Sequence, residues 1–81
     1  MISCEHYDYI EIACTYRYPL RLTIKSDEVI DCIAKDTLIN EYKNECIKVS
    51  VDGSDRLVVL DEILTMEVKV DNPHFKLVSF N

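Results

Sequence analysis

Pro19-Leu20-Arg21-Leu22-Thr23-Ile24-Lys25 decides the fold, because apolar and polar residues alternate along it with a period of two. Leu20, Leu22 and Ile24 make one face of a half-buried strand; Arg21, Thr23 and Lys25 make the other. Downstream, Ser26-Asp27 turns the chain into a second strand over 28–35, with Ile30, Cys32 and Ala34 on one face. Val29 and Ile33 lie on its opposite face, so partial cover is expected on both sides. Residues 36–44 are polar and lack a clear period, which predicts a loop. Ile47, Val49 and Val51 point inward from a third strand over 46–51. Asp52-Gly53-Ser54-Asp55 holds the only glycine in the chain and predicts a hairpin turn. Strands over 56–60 and 64–70 follow, the latter with Leu64, Met66, Val68 and Val70 on one face. Asn72-Pro73 turns the chain, and 75–80 closes the sheet.

Upstream of Pro19 the period is helical. A short helix is expected over 9–16, with Asp8 and Glu11 as a D-x-x-E capping box and Tyr7 and Ile12 as its hydrophobic staple. Ile10, Ala13 and Cys14 share one face, while Asp8, Glu11 and Thr15 share the opposite one. Pro19 ends the helical option. One helix before five to six short antiparallel strands predicts a mainly β small barrel or sandwich, with residues 1–81 forming one domain.

Nine Lys and Arg stand against fifteen Asp and Glu, a formal charge of −6. That balance opposes direct binding to a polyanion and suits a basic partner, although it is equally what keeps a small protein in solution. The longest apolar runs are far short of the roughly 20 residues that cross a bilayer. There is no basic region followed by an apolar run at the start, so neither a signal peptide nor a membrane is expected, and the cytoplasm is the expected compartment. Cys4, Cys14, Cys32 and Cys46 form no C-x-x-C pair and are expected as thiols, with a Cys4–Cys14 bridge still open. His6 and His74 lie far apart, so no metal or other cofactor is expected.

No nucleophile–base constellation, glycine-rich phosphate loop or H-E-x-x-H is present, so an enzyme is not expected. Asp61-Glu62 suits a short turn. Five tyrosines offer rings for stacking on nucleic acid, but the 1–16 segment where they begin holds three acids and no Lys or Arg. Tyr9 and Tyr18 are expected at the core edge.

Cys4-Glu5-His6-Tyr7-Asp8-Tyr9-Ile10-Glu11-Ile12-Ala13-Cys14 resembles the signature of the Rho-binding antiterminator family, Rof. Leu20–Lys25, Ala34-Lys35-Asp36-Thr37 and Leu60-Asp61-Glu62-Ile63 match it in order, so the resemblance covers nearly the whole chain. It departs from the family pattern at Asp27-Glu28, where Asp-Gly is common, and at Cys32, where glycine is expected. The resemblance implies an Sm-like, strongly bent β-barrel with an N-terminal helix. It also implies a function: inhibiting termination by binding the RNA-binding domain of the hexameric factor Rho and blocking its primary RNA site. Matched by position, Tyr7, Asp8 and Glu11, with Glu5 beside them, become the partner-binding residues. Asp36, Glu41, Lys43 and Asn44 of the polar loop are a second candidate set. A free monomer that binds no nucleic acid is expected. The rivals are an Sm-like protein that binds RNA itself and a module for another basic partner.

Overall fold

A computed structural model describes residues 3–80. Helix α1 (Cys4–Thr15) precedes β1 (Pro19–Ile24), β2 (Val29–Ile39), β3 (Glu45–Val51) and β4 (Ser54–Val59). A 3-10 turn (Leu60–Glu62) then leads to β5 (Ile63–Val68) and β6 (Leu77–Ser79). The strands form one antiparallel sheet in the order β4-β3-β2-β1-β5-β6.

The period-two pattern sets the register. Val78, Met66, Leu22 and Ile30 lie side by side across β6, β5, β1 and β2, and all four are buried. Val68, Leu20 and Cys32 make the next inward row. One residue along, Leu77, Glu67, Arg21 and Asp31 form an outward row, exposed except for the half-buried Glu67. Helix α1 closes the core from one side, with Ile10 and Ala13 fully buried. Burying Ile10 alone contributes about 2 kcal/mol.

Four expectations are corrected. The helix begins at Cys4, and its N-cap is Ser3, whose hydroxyl accepts from the His6 N–H at 3.2 Å. Asp8 and Glu11 therefore lie within the helix as exposed residues, and the expected capping box and staple do not form. The earlier start adds intrahelical hydrogen bonds and seats Tyr7 against the core.

Residues 36–39 are strand, not loop: β2 runs to Ile39, and its pairing with β3 shifts between Ala34 and Asp36. This bulge disguises the period, because Ala34 and Thr37, three residues apart, face Val49 and Ile47 on one side. A second shift, between Thr23 and Ile24 of β1, buries Ile63 and leaves Leu64 half-buried; Val70 lies beyond the strand and is exposed. Finally, Val29 and Ile33 are exposed, because they share the outward face with Asp31.

Five consecutive or isolated turn positions take a left-handed backbone: Arg17, Asp27, Lys43, Asp52 and Gly53. Asp52-Gly53 is the two-residue connection of the β3–β4 hairpin, as its composition predicts. At the departure noted above, Asp27 takes the left-handed backbone, at φ 71°, and Glu28, which stands in the glycine's place, does not. Arg17 stands where helices usually end on glycine. Around it, the Tyr18 N–H reaches the Ala13 carbonyl at 3.0 Å and the Arg17 N–H reaches that of Cys14 at 3.2 Å, a Schellman closure.

Candidate protein-binding surface

At about 100° per residue, burial of Ile10 and Ala13 turns Asp8 to the crest of the exposed face of α1. Glu5 and Glu11 flank it, about 60° to either side. All three are exposed, and none has a salt-bridge partner among the described residues. Glu5 lies in the first turn, where a carboxylate suits the helix dipole. Tyr7, by contrast, is half-buried and packs against the core, so its ring is tied to the fold.

Three acids on the sheet and its first turn are held differently. Asp31 is held by Arg21 at 2.9 Å and Lys69 at 3.4 Å, and Asp55 by Lys35 at 3.2 Å and Lys48 at 3.5 Å. Glu28 makes two hydrogen bonds to Arg56, both 2.9 Å. Hydrogen bonds from Arg21, Lys35 and Arg56 hold the Asp31, Asp55 and Glu28 carboxyls below their ordinary range. Five of the nine cationic side chains are thereby engaged, and none of the five pairs with a carboxylate of the helix.

The bulge in β2 brings Asp36 to the end of this surface. Glu11, Cys14, Thr15, Arg17, Lys35 and Asp36 line one open cleft of about 370 Å³. Burial pushes the Cys14 thiol up to about 11, with Asp36 and then Glu11 adding to the shift and Arg17 opposing it. The thiol is thus protonated and inert at neutral pH. Asp36 also accepts from the Thr37 N–H at 2.8 Å through one oxygen. The acidic stripe consequently runs from Glu5 through Asp8 and Glu11 to Asp36, and becomes mixed in sign only at Arg17 and Lys35.

Glu41, Lys43 and Asn44 are exposed in the β2–β3 connection, apart from Asp36 in sequence and on a different element. Asn40 organises that connection: its side-chain oxygen accepts from the Tyr42 N–H at 2.9 Å and the Asn44 N–H at 3.0 Å. This leaves Tyr42 77 % exposed. The Asn-x-x-x-Asn spacing was the available signal for Asn40, since asparagine readily bonds its own following backbone. For Tyr42, exposure is a property of the loop shape that periodicity does not carry.

All four cysteines are free thiols, so Cys4 and Cys14 are not bridged. Among the described residues no three His, Cys, Asp or Glu side chains converge as a metal would require.

A family model described as "Modulator of Rho-dependent transcription termination (ROF)" matches residues 1–80. Protein rof of Escherichia coli (strain K12) and that of Shigella flexneri are each 34% identical over 62 residues, covering 76% of this chain and 73% of theirs. A solved structure described as YaeO bound to magnesium, from Vibrio cholerae O395, is 40% identical with a TM-score of 0.88. It covers 93% of this chain and 97% of its own. The magnesium belongs to that protein. The fold is the mainly β, Sm-like one, with its N-terminal helix and bent antiparallel sheet. A family of transcription modulators is regulatory rather than enzymatic. With its whole described length matched in sequence and most of it in shape, this chain belongs to the ROF family of modulators of Rho-dependent transcription termination.

Proposed function

We propose that this antiterminator binds Rho by laying the exposed face of α1 on the RNA-binding domain, where Glu5, Asp8 and Glu11 occupy ground that transcript phosphates would otherwise hold. The observation that carries the reading is the contrast in charge pairing. Asp31 and Asp55 on the sheet and Glu28 in its first turn are matched by Arg or Lys, whereas all three carboxylates of the helix lie exposed on one face with no salt bridge among the described residues. A site that holds single-stranded RNA is lined by cations, and unpaired carboxylates on a fixed helix complement it. Tyr7 supports the helix from its buried side, and Asp36 prolongs the stripe. The β2–β3 connection, through Glu41, Lys43 and Asn44 with the exposed Tyr42, makes a second contact, since exposed tyrosine is a favoured interface anchor.

Residues 1–81 act as one domain, in the cytoplasm where transcription proceeds. The free protein is a monomer: one edge strand, β6, is only 3 residues long, and the other, β4, carries the charged Asp55 and Arg56, which discourage pairing with a second copy.

The test is competition on intact Rho. Added protein should displace labelled single-stranded RNA from the hexamer, and raised salt should weaken the complex. Displacement that survives Glu11→Lys and Asp8→Lys undiminished would remove the assigned surface. Tight binding of the RNA to this protein alone would favour direct RNA binding instead.

A further inference from the structure

We infer that Asn72 is a positioning residue for partner docking, acting through an aromatic clamp that fixes the roll of α1; this rests on the docking reading above. Between β5 and β6, residues 69–76 have no strand of their own. Their shape comes from one side chain. The Asn72 amide donates to the Val70 carbonyl at 3.1 Å and the Phe75 carbonyl at 2.9 Å. Its oxygen accepts from the His74 N–H at 2.9 Å and the Phe75 N–H at 3.1 Å. Both donors and both acceptor sites of the amide are thereby used.

The connection held in this way delivers two rings to the helix. Phe75 meets Tyr9 edge-on at 5.0 Å between centroids, and His74 stacks on Tyr16 at 4.9 Å. Beyond β6, Phe80 meets His6 edge-on at 5.2 Å. Two of the helix-side partners, Tyr9 and Tyr16, line one flank, and His6 lies on the core side. Tyr9 and Tyr16 lie about a quarter-turn from Asp8, and Glu5 lies between that flank and the crest.

The core contacts of Ile10 and Ala13 resist lifting of the helix, but they lie opposite the acids and resist roll only weakly. The Tyr9–Phe75 and Tyr16–His74 contacts lie to the side, where they set the direction in which the carboxylates point. An interface of fixed charges depends on that direction, because a misdirected carboxylate loses its partner. Asn72 is thus coupled to docking without touching the partner.

The experiment compares amide exchange in the free protein with affinity for Rho. Asn72→Ala is expected to speed exchange of α1 amides about tenfold while β2 and β3 amides keep the parent rates, and to weaken Rho binding about tenfold. Asn72→Asp keeps the two acceptor bonds and should fall between the two proteins on both measures. Unchanged α1 exchange overturns the inference. So does faster exchange spread evenly over the strands, which marks a structural role alone, or a loosened α1 that binds Rho like the parent. Asp8→Lys separates the two levels: normal Rho binding there sinks the docking reading, and α1 exchange still decides the clamp.

Discussion

Arg56 and Glu28 are joined by two parallel hydrogen bonds, both 2.9 Å, although two strands separate β4 from β1 in the sheet. Arg56 lies opposite the buried Val49, and its guanidinium reaches the turn that links β1 to β2. Only a strongly bent sheet brings its margin so near that turn. The pair therefore registers the curvature of the fold in one contact.

Acid should open this contact. Glu28, Asp31 and Asp55 bind protons less tightly when folded than their ordinary values of 4.5, 3.8 and 3.8. Their stabilisation is present above those values and is lost as pH falls below them. The thermal midpoint should hold down to about pH 5 and then decline. All three are solvent-exposed, so the loss should be gradual. Arg56→Gln should lower the neutral midpoint and shallow the decline; an unaltered acid profile in that variant would show the pair to be idle.

Alkali should act through the thiols. Burial raises Cys14 and Cys32 from 9.0 to about 11. The folded chain holds these protons more tightly, so their contribution is complete below 9.0 and is lost as pH rises towards 11. Stability measured by urea should fall across that window. Cys14→Ala combined with Cys32→Ala should flatten the fall, whatever it does to the neutral value. At neutral pH a thiol reagent should modify the exposed Cys4 first.

Arg17 offers a gain. Its φ of 52° lies in the left-handed region at the end of α1, where a side chain costs about 1 kcal/mol. Arg17→Gly should raise stability by about that amount, read from the denaturant midpoint. No change would mean that Arg17 makes up the cost by other means, for example beside Asp36.

Ser3 and Asp8 can be told apart in the same way. Ser3→Ala removes the real cap and should cost about 1 kcal/mol. Asp8→Ala should leave stability within about 0.5 kcal/mol of the parent while weakening Rho binding. The reverse pattern would restore the helix start that the D-x-x-E spacing suggested.

Alternation made β1 legible because its two faces differ from end to end; Leu20, Leu22 and Ile24 are buried as the pattern requires. Asp52-Gly53 was equally plain, since it combines the glycine with a residue that tolerates a left-handed backbone. The errors arose where an extra residue breaks parity. Lys35 does so in β2, and Leu64 does so in β5, and each looks like the end of a strand or a face in the wrong phase. The helix start was missed because Ser3 lacks an acid three residues on, whereas Asp8 has one. At the surface, the resemblance and the spacing pointed to Asp8 and Glu11 in sequence. Their lack of cations was not legible, since it depends on which Lys and Arg the sheet engages. Nor was Asn72, whose four bonds join backbone groups that only the folded connection assembles.

The clamp also imposes an order on synthesis. Helix α1 is translated before the sheet, yet its ring partners His74, Phe75 and Phe80 come well after every residue of the helix and after β1–β5. A nascent chain can coil its first segment long before anything arrives to orient it. The face of α1 that we propose as the docking surface is thus oriented only once residues 72–80 have been added, and a ribosome stalled before that point displays an unaimed helix.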